Sequence, residues 1–446
     1  MDSKNMDTFA TLNIAPIEGG GVTSAKGFKA SGVHAGFRAN PDKLDLALVV
    51  ADEPCATAAV FTQNVFCAAP VRFSKKQLVA SSGSPSYGTT KAVVINSGNA
   101  NAATGEPGMD AAKAEADLVA EALGCPAGEV LVASTGVIGV ELPIKPFEVG
   151  IPEAIDSLSI NGGEQAALAI MTTDTRPKER AVRCSCTTLD GIEAEFIVGG
   201  MAKGSGMIMP NMATMISVIT TDAPIGEADL FAALKEAVGV SFNKVTVDSD
   251  TSTNDTCILL ASGKVDMPAS SQDAPDALVA AKASQQLDFT QGAPLFDAFV
   301  QSLKAVCIGL VRDMATDGEG ATKLVTVNVD GAANEDDADI AARAIANSPL
   351  VKTAIAGRDA NWGRIAAALG KSGARFEQSD VNIDIMGMPV CRKGLTQEFD
   401  EAEALRRFEA SEIEIDVDLG AGTSSATVWT CDLTHDYISI NADYRS

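Results

Sequence analysis

A chain of 446 residues that is 46% hydrophobic can bury a substantial core and is long enough for two or three domains of ordinary size. Asp and Glu outnumber Lys and Arg by 59 to 34, a formal charge of −25, and a field of that sign repels phosphate backbones and anionic lipid surfaces. Nucleic acid and membrane are therefore not expected as partners.

The opening, MDSKNMDTFATLNIAP, has neither the order of a secretory signal nor the Arg-rich character of a transit peptide, and no run of about 18 apolar residues follows, so a cytoplasmic protein is expected. Short β-rich runs at 92–95, 130–132 and 195–198 alternate with helical stretches, a pattern of mixed α and β structure. Cys184 and Cys186, two apart on a strand, share one face and read as core residues. A glycine-rich stretch at 199–206 lacks the spacing of a phosphate loop; with the Pro-Asn turn at 210–211 it is expected to give a flexible lead into the β-branched run at 216–221. From 227 to 240, Leu230, Phe231, Leu234, Ala237 and Val238 recur at helical spacing and predict an amphipathic helix. Strands are predicted at 244–248 and 256–261, then a polar surface excursion at 267–294 and a helix ending near Met314. The closing elements are a strand at 323–329, a helix at 335–347 and strands at 412–418 and 426–432.

The chain has two histidines, His34 and His435, neither in a nucleophile motif, which disfavours Ser-His-Asp and Cys-His catalysis. Its nine cysteines contain no CxxC and are odd in number, arguing against structural disulfides and, without clustered histidine, against a transition-metal site. A small residue, Ala213, precedes a hydroxyl residue, Thr214, where the turn meets the strand. That junction permits attack of the Thr214 hydroxyl on the Ala213 carbonyl, giving an ester that water opens. The freed α-amine, with a pKa of roughly 7.7–8.0, can then act as the hydroxyl's own general base without a histidine. From residue types alone, an ordinary loop-to-strand threonine remains the better reading.

The stretch KGSGMIMPNMATM at 203–215 resembles the cleavage signature of the ornithine acetyltransferase family, also called the glutamate N-acetyltransferases of arginine biosynthesis. Similar stretches run along nearly the whole chain: VVINSGNANAATG at 93–105, VASTGVIG at 132–139, IMTTDTRPK at 170–178, VTVDSDTSTNDT at 245–256, DGEGATK at 317–323 and AGRDANWGRI at 356–365. The resemblance implies a layered α/β sandwich of two interwoven pieces, an α chain of residues 1–213 and a β chain of 214–446, made by self-cleavage between Ala213 and Thr214. It implies a dimer of such αβ pairs, a heterotetramer.

By the same resemblance Thr214 is the nucleophile, Thr135 and Gly136 form the oxyanion hole, and Thr172, Lys203, Thr214, Glu319, Asn441 and Ser446 bind substrate. Lys203 would neutralise the substrate α-carboxylate and Glu319 the side-chain ammonium of ornithine. The implied reaction passes an acetyl group from N-acetylornithine to glutamate through an acetyl-threonine ester, with no cofactor and no metal. Use of acetyl-CoA as a second donor stays open, since members with and without it share these motifs. Two alternatives also stay open: a hydrolase with an N-terminal nucleophile, such as a self-processing aminopeptidase, and a paralogue acting on another acetylated amino acid.

Overall fold

The computed structural model describes residues 8–209, 215–265 and 287–443, and the fold is mixed α/β, built on two sheets. The first sheet takes β1 (Phe9–Pro16), β2 (Phe28–Val33), β3 (Leu46–Phe61), β4 (Tyr87–Asn99), β5 (Val130–Val137), β6 (Lys178–Thr188), β7 (Glu193–Lys203), β8 (Ile216–Thr221) and β9 (Thr256–Ala261). Their order is β1-β6-β7-β8-β9-β3-β4-β5, with β2 also paired to β3. The second sheet holds β10 (Leu324–Ala332), β11 (Asn382–Ile385), β12 (Met388–Arg392), β13 (Leu395–Thr396), β14 (Glu412–Asp418) and β15 (Ser424–Cys431), in the order β13-β12-β11-β14-β10-β15.

Both faces of the first sheet are buried, and its strands show it. On β9 every residue is buried, with Cys257 and Leu259 packing into one apolar cluster and Ile258 and Leu260 into another. This is the period of two in which successive side chains leave opposite faces of the pleat. The first cluster includes the helices Glu227–Val240 and Pro294–Thr316. The second takes the helix Gly163–Ala169. At the other end of the sheet, Leu46, Leu48 and Val50 of β3 join a third cluster with the helices Gly105–Leu123 and Lys145–Asp156. The second sheet has its own core, against the helices Glu335–Ala346, Pro349–Ala356 and Trp362–Gly370.

The helix expected at 227–240 is present with those bounds; Leu230, Ala233, Leu234, Ala237 and Val238 are its buried stripe, and Phe231 is only half-buried at its edge. The helix ending near Met314 runs from Pro294 to Thr316. Among the described residues it alone is long and apolar enough to cross a membrane, but 61% of its apolar window is buried, as befits a core helix. Cys184 and Cys186 both sit in the core, and all nine cysteines are free.

Two expectations need correction. Residues 244–248 form no strand: Phe242–Lys244 is a short 3-10 helix, and only Val245 makes an isolated bridge, to Trp429. Val245 and Val247 belong to a buried strut between β15 and the loop carrying Ile208, with the Thr246 N–H donating to Trp429 and the Val247 N–H to Ile208. Gly199 and Gly200 are not a flexible lead but lie within β7, where a Cβ on Gly199 would sit 2.2 Å from the Gly21 carbonyl oxygen. The excursion at 267–294 falls mostly outside the described residues, as do Ala213, Thr214 and Ser446.

One topological fact places the site. β8 and β9 lie between β7 and β3, antiparallel to both of those neighbours and parallel to each other. The last strand before residue 213 and the first after it are therefore adjacent, with Lys203 opposite Ile216.

Candidate active site

A cavity opens at the end of the first sheet where β5, β7 and β8 finish or begin. Its wall includes Thr135, Gly136, Thr172, Lys203, Glu319 and Asn441, six residues drawn from five separated stretches of chain. Met215, the residue after Thr214, also lines it, with Asn254 and Asp255.

Thr135 and Gly136 end β5, which pairs in parallel with β4 until the ladder breaks at Gly98 and Asn99. Gly136 adopts φ +134°, and a Cβ there would lie 2.3 Å from the Gly98 carbonyl carbon. Only glycine fits so close a backbone approach. The Thr135 hydroxyl accepts a 3.3 Å hydrogen bond from the Lys203 ammonium. A hydroxyl has a single proton, and a bond accepted from an ammonium leaves that proton available for a third atom in the cavity.

Lys203 is buried at the end of β7. Burial pulls its ammonium below the ordinary lysine value, while the nearby carboxylates of Asp174, Asp255 and Glu319 resist that pull. Beside it is a second, deeper cation. Lys178 is 1% exposed and its ammonium lies 2.6 Å from Asp174 and 2.6 Å from Asp317. Burial would raise the Asp174 carboxyl, but Lys178 and Lys203 overcome it and hold that carboxyl far below the usual range. Asp174 also accepts from the N–H groups of Thr172 at 3.0 Å and Gly204 at 2.7 Å, while Asp317 accepts from the N–H and hydroxyl of Thr175. The pair of aspartates thus ties the loop carrying Thr172 to β7 and to the turn carrying Glu319.

Glu319 is fixed by backbone: its N–H donates to the Ser205 carbonyl at 3.0 Å, and the Ser205 hydroxyl donates to Asp317 at 2.6 Å. Gly206 packs flat on it, since a Cβ there would meet the carboxyl carbon at 2.4 Å. The Asn441 amide donates to Glu319 at 2.7 Å from the terminal helix His435–Asp443. That helix is held by the Thr434 hydroxyl on Gly320 at 2.7 Å and by the Tyr437 hydroxyl on Asp248 at 3.3 Å.

The chain on either side of residues 210–214 is anchored. Asp248 accepts the N–H groups of Met207 at 2.6 Å and Ile208 at 2.9 Å, and the Thr251 hydroxyl donates to the Met209 carbonyl at 2.9 Å. On the far side the Thr256 N–H donates to the Met215 carbonyl at 2.8 Å. These anchors come from the stretch at 245–256, whose residue-by-residue work the sequence alone did not reveal. The same is true of Asp174, Lys178 and Asp317, which lie within or beside stretches already singled out.

Both histidines stand apart. The His34 Nδ1 is 2.8 Å from the Lys43 carbonyl, and His435 opens the terminal helix. Among the described residues no cluster of three or more His, Cys, Asp or Glu is arranged to hold a metal ion.

The family model of ArgJ matches residues 29–446. A relative from Symbiobacterium thermophilum, named arginine biosynthesis bifunctional protein ArgJ, is 47% identical over 428 residues, covering 96% of this chain and 99% of its own. Another of that name, from Dehalococcoides mccartyi, is 42% identical and covers 98% of this chain and 100% of its own. Among solved structures, an ArgJ chain from Bacillus halodurans is 38% identical with a TM-score of 0.45, covering 50% of this chain and 97% of that one. A chain of ornithine acetyltransferase from Mycobacterium tuberculosis, complexed with ornithine, is 40% identical with a TM-score of 0.39, covering 46% and 100%. With a family model spanning all but the first 28 residues and full-length relatives above 40% identity, the chain belongs to the ArgJ family.

Proposed function

We propose that this protein is a self-cleaving acetyltransferase that moves the acetyl group of N-acetylornithine to glutamate, with Thr214 as the nucleophile. The observation that carries the reading is the cavity itself: six residues assigned to the reaction from sequence line one space, and Met215, next in sequence to Thr214, lines it too. Cleavage between Ala213 and Thr214 would give chains of 1–213 and 214–446, interleaved in the first sheet and paired again as a dimer of αβ pairs in the cytoplasm.

The neutral α-amine of Thr214 takes the proton of its own hydroxyl, and the Oγ attacks the acetyl carbonyl. Negative charge forms on the carbonyl oxygen, met by the Thr135 hydroxyl and the Gly136 N–H. The bond that the Thr135 hydroxyl accepts from Lys203 leaves its proton available to donate. Ornithine leaves, glutamate enters, and its amine takes the acetyl group from the threonine ester. Lys203 pairs with the α-carboxylate common to both substrates, Glu319 with the ornithine ammonium, and Asn441 holds Glu319 toward the cavity mouth. Ser446 completes the set of residues proposed to bind substrate. The relatives are named bifunctional, and acetyl-CoA is the second donor to assay.

The test is an intact mass of the purified protein followed by incubation with N-acetylornithine and glutamate. Two chains split at Thr214 and formation of N-acetylglutamate are expected, with both lost in Thr214→Ala. A persistent 45.9 kDa chain would overturn self-cleavage, and acetate release without N-acetylglutamate would make the protein a hydrolase.

A further inference from the structure

The Asp255 carboxyl is almost wholly buried, it lines the same cavity, and its Oδ2 has no hydrogen-bond partner among the described residues. A buried carboxyl oxygen left empty costs free energy and calls for a reason. The rest of the group is tightly placed. Ser252, Thr62 and the N–H of Met215, the residue that follows Thr214 in sequence, all favour its charged form. Its backbone carbonyl accepts the Thr62 N–H at 2.9 Å, and the Asn254 amide bridges Ala100 at 2.5 Å and Ser134 at 2.8 Å. The empty oxygen is thus held in the cavity wall by a built frame. The charged and titratable groups around it are the Lys203 ammonium on β7, with Glu319 beyond it, and the Cys67 thiol on the facing loop.

The proposed reaction gives such a group a task. Written with all protons, the first half-reaction consumes one: amide plus threonine hydroxyl plus a proton gives the acetyl ester and ornithine as an ammonium. The second releases one, because glutamate arrives as an ammonium and leaves as a neutral amide. The Thr214 amine shuttles a proton within each half and returns to its starting state, so it does not balance either.

Resting on the function proposed above, we infer that Asp255 is the acid and base that carries this proton between the two half-reactions. Protonated, its Oδ2–H donates to the departing ornithine nitrogen as the C–N bond breaks, leaving a carboxylate. That carboxylate takes a proton from the glutamate ammonium, freeing the lone pair that forms the new C–N bond as the ester C–O bond breaks. The protonated acid is restored and no external proton donor is needed. Burial pushes the Asp255 carboxyl well above the ordinary range, against the pull of Ser252, Lys203, Thr62 and Met215, in the direction a neutral-pH acid requires.

Asp255→Asn keeps the size and polarity of the side chain and removes its acidic proton. Acetyl-enzyme is formed and its loss followed with two acceptors: glutamate, an ammonium at neutral pH, and hydroxylamine, which is already a free base there. The variant is expected to lose about 10²- to 10⁴-fold with glutamate and little with hydroxylamine. Equal losses with both acceptors, or no loss with either, would overturn the assignment. If the variant stays an uncut precursor, the wild type supplies the test. Glutamate transfer should level off above the Asp255 ionisation, and a continued rise of about tenfold per pH unit up to the amine's own pKa would refute it. Failure of the wild type to form any acetyl-enzyme would instead remove the proposed function, independently of Asp255.

Discussion

Replacing Lys178 by Met tests the frame under the cavity most directly. The side chain is of similar length, but its ammonium satisfies two carboxylates at 2.6 Å each in a site that is 1% exposed. Removing one partner of a buried ion cluster leaves charge uncompensated, at a cost of about 3–5 kcal/mol. Asp174 keeps two backbone N–H donors and Lys203 as neighbour, and Asp317 keeps Thr175, so the lower half of that range is expected. Urea denaturation of wild type and variant at pH 7 measures it, with an unchanged slope showing that the exposed surface is the same.

Acid gives an independent reading of the same cluster. The Asp174 carboxyl lies far below its ordinary 3.8, so it contributes stability above that value, which is lost only as pH falls toward its depressed folded value. Without Lys178 the depression shrinks, and the acid-unfolding midpoint of the variant should move to higher pH. A loss under about 1 kcal/mol together with an unmoved acid midpoint would show that the cluster does not hold the Thr172 loop, β7 and the Glu319 turn together.

Two further outcomes are expected. Thr135→Val keeps shape but removes both the proposed oxyanion donor and the acceptor for Lys203, so kcat should fall about 10²- to 10³-fold with KM changed much less, in steady-state transfer assays; a loss confined to KM would refute the oxyanion role. Glu179 is a partly buried carboxyl pushed up to about 7 by burial and by Glu164. An acid raised in the folded state makes stability fall as pH rises from its ordinary 4.5 to about 7. Glu179→Gln should therefore be more stable than wild type above pH 7, by on the order of 2 kcal/mol allowing for partial exposure, and equal to it below pH 4.5, as read by thermal melts across that range.

Elements defined by local pattern were legible before the structure. The helix Glu227–Val240 and the strand Thr256–Ala261 carry their periods in sequence, because one stripe or both faces meet a core. Residues 244–248 mislead for a physical reason: Val245 and Val247 both enter the same core from a loop, so their spacing of two mimics a strand, but they pair with no ladder. The cavity residues came from motif resemblance. The groups that hold them did not, since Lys178 and Asp317 are 139 positions apart and nothing in either neighbourhood announces the other. Asp255 was invisible for a similar reason: an aspartate in a polar stretch reads as a solvated turn until the chain around it closes.

The interleaving of β8 and β9 between β7 and β3 bears on the life history of the molecule. While the precursor is intact, refolding is a first-order event whose yield is indifferent to protein concentration. With the bond before Thr214 cut as proposed, the same sheet would have to be rebuilt from two diffusing strangers, one of which would have to thread its first strands into a gap in the other. Unfolding would then become a one-way exit at dilution, and the cleaved protein would persist by the height of its unfolding barrier more than by the depth of its minimum.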